Sequence, residues 1–175
     1  MHISPMRTAS FTPIEADLIA ANRLYFWSSL RWKRTVWSYA LGGLVFAFIG
    51  ALFSEWVNAG EIVLGATSGL TFWLLMLTSI LTLNYVLIPI RSRRAFKQMK
   101  ALQNQTDIDW SPERIKLQSK QGSTDLDWRD FIRIAQGKDV ILLLKSDFLF
   151  NFIPKRALSD EQAADFVNLA TSRRA

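Results

Sequence analysis

Two long runs without a charge govern what this chain can fold into. Between Arg34 and Glu55 lie 20 uncharged residues, and between Glu61 and Arg91 lie 29. At ~1.5 Å per residue a helix of ~20 residues spans ~30 Å, the thickness of a bilayer's hydrocarbon core. Residues 35–90 hold only two charges, Glu55 and Glu61, both in the connector Ser54–Glu61. A core helix of a soluble protein needs a wet face and rarely comes as two such runs back to back. The pattern predicts a membrane α-helical hairpin of two transmembrane helices, about 35–54 and 66–88. Tilt, or an interfacial Gly65–Ser68, would absorb the excess length of the second run.

Charge placement sets the expected orientation. Residues 1–100 hold ten Lys/Arg against four Asp/Glu, and residues 101–175 hold eleven of each, so the whole net charge of +6 lies in the first part. Arg31, Lys33 and Arg34 precede the first run, and Arg91, Arg93 and Arg94 follow the second. The connector between the runs has no Lys or Arg. Basic flanks stay cytoplasmic, which predicts a multi-pass protein of the inner (plasma) membrane with both termini inside. Trp32, Trp37, Tyr39, Trp56 and Tyr85 suit headgroup-level anchors. Basicity so placed reads as membrane topology and not as a nucleic-acid surface. With 34 residues ahead of the first run, a cleavable signal peptide is a poor fit.

Small residues mark the helix faces expected to pack. Ala40, Gly43, Ala47 and Gly50 recur every three or four positions in the first run, and Gly65 and Gly69 form a GxxxG in the second. They fit packing within the hairpin, or self-association into a homo-oligomer. No Asp, Glu, Lys, Arg or His lies inside either run, which counts against ion relay or coupled transport. Thr71, Thr78, Ser79 and Thr82 either line a polar seam or bond carbonyls one turn back.

On the N-terminal flank, residues 1–34, Thr12-Pro13-Ile14-Glu15 reads as a helix start with Thr12 as N-cap. A stripe of Ile14, Leu18, Ala21, Tyr25 and Trp32 follows, for a helix resting on the inner leaflet or on the following domain. Ala9–Phe11 could add a strand to that domain. Pro89 is expected to kink or end the second membrane helix, with 91–104 a basic linker. From 105 to 175 the period becomes two: Ile108 and Trp110, Ile115 and Leu117, Leu126 and Trp128, then Phe131–Ala135, Val140–Leu144 and Phe148–Ile153. Short turns imply an antiparallel β-meander. Ser159-Asp160-Glu161-Gln162 opens an amphipathic helix carrying Ala163, Phe166, Val167 and Ala170 on one face. The expectation is a small cytoplasmic α+β domain, a meander of five or six strands closed by a C-terminal helix, PH-like in outline.

Three stretches here resemble the YcxB-like family of bacterial membrane proteins. They are Leu126-Asp-Trp-Arg-Asp-Phe-Ile-Arg-Ile134, Lys138-Asp-Val-Ile-Leu-Leu-Leu144 and Ile153-Pro-Lys-Arg-Ala-Leu158 followed by the acidic helix start and Phe166. The order of an N-terminal helix, two spans and this domain also resembles the family, over residues 10–173. The resemblance implies an architecture and brings no catalytic residue with it.

Chemistry is sparse. There is no cysteine, and the one histidine is His2, which removes thiolate sites and the usual general base. No catalytic set, cofactor site or metal site is expected, and the chain reads as a non-enzyme. Lys155 and Arg156, between a strand and a helix N-terminus, are the candidate contacts for an anion or lipid headgroup. The competing reading is a turn held by Pro154 and pairing with Asp160 or Glu161. Trp110 and Trp128 read as core, and Asp125, Asp127 and Asp130 as the wet side of a strand. The expected function is a non-catalytic membrane protein presenting a module to anionic lipid or a protein partner. The alternative is a homo-oligomeric channel or regulator assembled through the hairpin.

Overall fold

The alternation that begins at Thr106 becomes strands, and a strand from the far end of the chain joins them. The computed structural model describes residues 7–30, 33–53, 59–120 and 122–172. The chain divides into two compact units, residues 27–87 and a second assembled from both flanks, 1–26 with 88–175.

The flank unit is mixed α+β. One sheet runs β1 (Thr8–Phe11), β2 (Thr106–Trp110), β3 (Arg114–Ser119), β4 (Gly122–Asp127), all neighbours antiparallel. A second runs β5 (Arg133–Gln136), β6 (Val140–Leu144), β7 (Phe150–Pro154), also antiparallel. The sequence predicts a meander of five or six strands that Ala9–Phe11 could extend; among the described residues the structure has six strands from Thr106 onward with β1 added, and the difference is that they split into two sheets. The break falls at Trp128–Asp130, a single 3-10 turn. The Asp127 carboxylate accepts from the Arg129 amide at 2.9 Å while Asp130 accepts from the Asp127 amide at 3.1 Å. This reciprocal cap turns the backbone out of β4, sends Trp128 and Phe131 into the core and starts a new sheet.

Both sheets share that core. Ile108, Trp110, Ile115, Ile141, Leu143 and Ile153 meet Phe166 and Ala170 of the C-terminal helix α4 (Asp160–Ser172). Phe166 stands edge-on to two indoles, at 5.5 Å from Trp110 and 5.3 Å from Trp128. The predicted capping box starts α4: Ser159 Oγ accepts from the Gln162 amide at 3.1 Å and Gln162 Oε1 from the Ser159 amide at 2.9 Å.

All five residues of β6 are buried, because both of its faces are covered. Ile141 and Leu143 face the shared core. Val140, Leu142 and Leu144 face the opposite way, against Ala21, Leu24 and Tyr25 of α1 (Glu15–Leu30). Double covering is the physical reason the strand reads as an unbroken apolar run. Ala21 and Tyr25 of the α1 stripe rest on the domain, while Ile14 is 46% exposed and Trp32 lies outside the described residues. The helix start moves as well. Ile14 and not Thr12 is the cap residue: its carbonyl accepts the first helical bonds, and its amide donates to Asp17 Oδ2 at 3.0 Å. Thr12 is diverted, its carbonyl being taken by Arg156.

The unit 27–87 contains α2 (Lys33–Leu52) and most of α3 (Ala59–Gln98). Among the described residues α3 is the one helix long and apolar enough to cross a membrane, and the apolar stretch Trp37–Leu52 of α2 is shorter. Pro89 does not end α3, which continues to Gln98; a proline removes one amide donor, a loss a long helix absorbs. The hydroxyls of Thr71, Thr78 and Ser79 donate to carbonyls four residues back, at 2.8, 2.7 and 2.8 Å, so the structure gives these three no seam to line. α2 and α3 touch backbone to backbone. A methyl on Gly50 would land on the Gly65 carbonyl oxygen and 3.1 Å from Gly69 Cα, and one on Gly69 would land on the Phe46 carbonyl oxygen. Gly43 faces the Trp73 ring, with which Phe46 stacks at 5.1 Å, while Ala40 is exposed and Ala47 half-buried.

Replacing Gly69 by Leu should destabilise the helix pair by about 1–3 kcal/mol, the usual cost of overpacking a contact with no room to relax. Thermal unfolding of the detergent-solubilised chain measures this. Leu75→Ala, at a position 64% exposed, should lower the midpoint much less.

Candidate functional site

The junction of β7 and α4 holds the residues picked out for chemistry. Pro154 ends β7, and Lys155–Ala157 form a 3-10 turn before α4. The Lys155 amide donates to the Asp139 carbonyl at 2.8 Å, which ties this turn to the one before β6.

Arg156 is committed to the N-terminal segment. Its Nη2 donates to Asp17 Oδ2 at 2.6 Å and to the Thr12 carbonyl at 2.8 Å, and its Nε to Asp17 Oδ1 at 3.2 Å. The Asp17 side chain is only 7% exposed, so this is a forked pair with one end buried. The Asp17 hydrogen bond, which outweighs the burial of the guanidinium, and the Asp17 charge raise the Arg156 pKa above its ordinary value. The pairing with Asp160 or Glu161 read from the sequence is not the one found. Those residues are close in sequence, but Asp17 is presented by α1 where it crosses the second sheet. Asp17 is the residue that sequence reasoning missed, because 139 residues separate it from Arg156 and no local pattern links them.

A second clasp of the same kind lies on α4. Arg7 donates from Nε to Asp165 Oδ2 at 3.1 Å and from Nη2 to Oδ1 at 3.2 Å. The Trp110 indole N–H adds a bond to Oδ2 at 3.1 Å. Burial alone would raise the Asp165 pKa; the hydrogen bonds from Arg7 and Trp110 and the Arg7 charge more than offset it and hold the carboxyl below its ordinary value. Trp110 and Trp128 are core residues with satisfied indoles, Trp128 donating to the Ser111 carbonyl at 2.9 Å.

Lys155 is half-buried, and among the described residues its ammonium makes no ion pair. Asp125 pairs with Arg114 at 3.1 Å, while Asp127 and Asp130 cap the 3-10 turn. Among the described residues no group of three or more His, Cys, Asp or Glu could hold a metal ion. A depression of about 410 Å³ on the outer face of the first sheet is lined by Thr8, Ser10, Asp107, Asp109, Lys116 and Gln118, mixed charges that favour no single ligand sign. Of the predicted topology residues, Arg91, Arg93 and Arg94 are exposed on α3, with Arg93 3.8 Å from Glu15. Arg31, Trp32 and Trp56 lie outside the described residues, as do the side chains of Lys33 and Arg34.

Residues 110–170 match the family model described as YcxB-like protein. This chain carries a YcxB-like domain. The match runs from the end of β2 into α4, and no curated protein and no solved structure matches the chain. β1 and α1 lie outside the match, yet the YcxB-like domain is completed by them. Phe11 enters its core, Ala21 covers β6, and Arg7 and Asp17 hold its two clasps.

Arg156→Ala should destabilise the YcxB-like domain by about 1–3 kcal/mol, because it leaves a buried carboxylate short of its donors. Chemical denaturation followed by tryptophan emission reads this. The Asp165 pKa is depressed in the folded state, so its stabilisation is full above about pH 4 and is lost as pH falls through the folded value. Asp165→Asn should flatten that acid limb of the stability profile and leave the slope near neutral pH unchanged.

Proposed function

We propose that this chain is a non-catalytic protein of the bacterial inner membrane. A two-helix hairpin anchors its YcxB-like domain on the cytoplasmic face, where the domain binds a lipid headgroup or a protein partner. The observation that carries the membrane reading is the exterior of the helix pair. Leu41, Leu44, Phe48, Val63, Leu64 and Leu75 are each more than 60% exposed, an apolar surface that water would penalise and a bilayer would not. The back-bonded hydroxyls of α3 suit the same solvent.

The makeup of the flank unit supports two crossings, α2 and α3. β1 and α1 precede the helices, and β2 to β7 follow them, within one folded domain. A single crossing by α3 would put those parts on opposite sides. α2 runs 20 residues from Lys33 to Leu52, ~30 Å with the basic Lys33 and Arg34 at its cytoplasmic end, and its apolar stretch Trp37–Leu52 supports the second crossing. Exposed Arg91, Arg93 and Arg94 support the cytoplasmic side. The PH-like description draws support from the antiparallel strands, seven among the described residues, split four and three and followed by a helix that fills the core between the sheets. Assembly into a channel loses its best surface, since Gly50 and Gly69 are occupied within the pair.

A green fluorescent protein fused to the C-terminus should fluoresce and a periplasm-dependent phosphatase should stay inactive; the reverse pattern would overturn the orientation. Lys155 is the cation to test for headgroup-like anions, because Arg156 is structural. In the detergent-solubilised chain, Lys155→Glu should weaken binding of glycerol phosphate by about tenfold, the loss of one charge-assisted contact. Lys116→Glu should not. If the unaltered chain shows no binding, Lys155 is not an anion site.

A further inference from the structure

The turn between β6 and β7 presents apolar side chains to the outside. Phe148 is 88% exposed and Leu149 59%, and Ile132, whose amide donates to the Leu144 carbonyl at the same end of the sheet, is 48% exposed. Single exposed apolar residues need no explanation, but a cluster at a loop tip does.

The tip is also built to leave water. Ser146 Oγ accepts from the amides of Phe148 at 3.2 Å and Leu149 at 3.0 Å, and the Leu149 carbonyl accepts from the amides of Lys145 at 2.8 Å and Ser146 at 3.2 Å. These backbone donors are satisfied inside the turn, which removes the main cost of bringing a loop into an apolar medium. Its location supplies the occupant. The Tyr25 hydroxyl donates to the Asp147 carbonyl, and the Tyr25 ring stacks on Phe150 at 5.1 Å. Tyr25 is one residue from Phe26, where the chain leaves the flank unit for the apolar helices. The tip therefore sits at the exit end of α1. β4 starts at the other end, through the register Phe11–Thr106–Ser119–Gly122 from which the chain enters α1.

We propose that Phe148 and Leu149 insert into the interfacial region of the same bilayer leaflet from which the hairpin emerges, docking the YcxB-like domain on the lipid. The inference rests on the membrane reading above and goes beyond it, since an anchored domain could equally hang free in water. The tip then acts as a second anchor: aromatic and aliphatic side chains enter the headgroup boundary, with Lys145 behind them near anionic phosphates.

The chain has no cysteine, so one engineered thiol labels one position. Phe148→Cys, Ser123→Cys and Leu75→Cys, each in the full chain, are modified with an environment-sensitive fluorophore. Each is reconstituted in vesicles of phosphatidylethanolamine and phosphatidylglycerol. The label at 148 should emit to the blue of that at 123 and be quenched several-fold more by headgroup-level nitroxide lipids. A label at 148 that is water-like, or blue-shifted but untouched by headgroup-level nitroxide lipid, while that at 75 is quenched by lipids carrying the nitroxide on the acyl chain, overturns docking and leaves the membrane reading standing; the blue-shifted case points to a protein occupant. No quenching at 75 by acyl-chain nitroxide lipids removes both. Retained tryptophan emission of each labelled chain verifies folding.

Discussion

β1 is hydrogen-bonded to β2, yet α1, α2 and α3 all lie between them in the chain. This long-range pairing is the constraint on which the remaining structure rests. It makes one domain of two flanks, and it forces whatever lies between them to return to the side from which it departed. The pairing does not stand alone. Arg7 with Asp165 and Arg156 with Asp17 each tie the N-terminal segment to the C-terminal one by forked hydrogen bonds. Phe11 and Ala21 add apolar contact on opposite sides of the domain. The clasps are partly exposed and so stabilise modestly; the apolar burial beneath them stabilises more. Their geometric specificity, two planar forks on two carboxylates, suits them to fixing register.

The helix pair obeys a different solvent rule. In the flank unit most large apolar side chains point inward, the β6–β7 tip excepted, and most charges point outward. In α2 and α3 the large apolar residues are the exterior, and what meets inside is glycine backbone and the Phe46–Trp73 stack. Inversion of this kind is expected where the surroundings are as apolar as leucine and close approach, not hydrophobic burial, holds helices together.

Much of the architecture is legible in the sequence wherever the signal is local. The uncharged runs, the alternation of Ile108 and Trp110, the Ser159–Gln162 box and the face carrying Phe166 and Ala170 each state their structure within a few residues. The split into two sheets is not legible, because it depends on a capped 3-10 turn at Trp128 that reads as continued alternation. The cap of α1 is misplaced for a related reason. Thr12-Pro13 has the right chemistry for a helix start, but Arg156, far along the chain, takes the Thr12 carbonyl and Asp17 caps Ile14 instead. The candidate site suffers most. Lys155 and Arg156 look equivalent in sequence, and only the fold separates a structural guanidinium from an ammonium with no ion pair among the described residues.

The most direct test of the two-flank domain uses the absence of cysteine in the chain. Thr8 and Asp109 are register partners in adjacent antiparallel strands, next to the bonded pair in which the Trp110 amide donates to the Arg7 carbonyl at 3.0 Å. Theirs is thus a narrow, non-hydrogen-bonded pair, with Cα atoms about 4.5 Å apart. Thr8→Cys with Asp109→Cys, oxidised in native membranes, should crosslink within one chain and give a faster-migrating band that reductant abolishes. Failure to crosslink, when each single cysteine is reactive to a soluble maleimide on the same side, would contradict the joined domain and with it the proposal of two crossings.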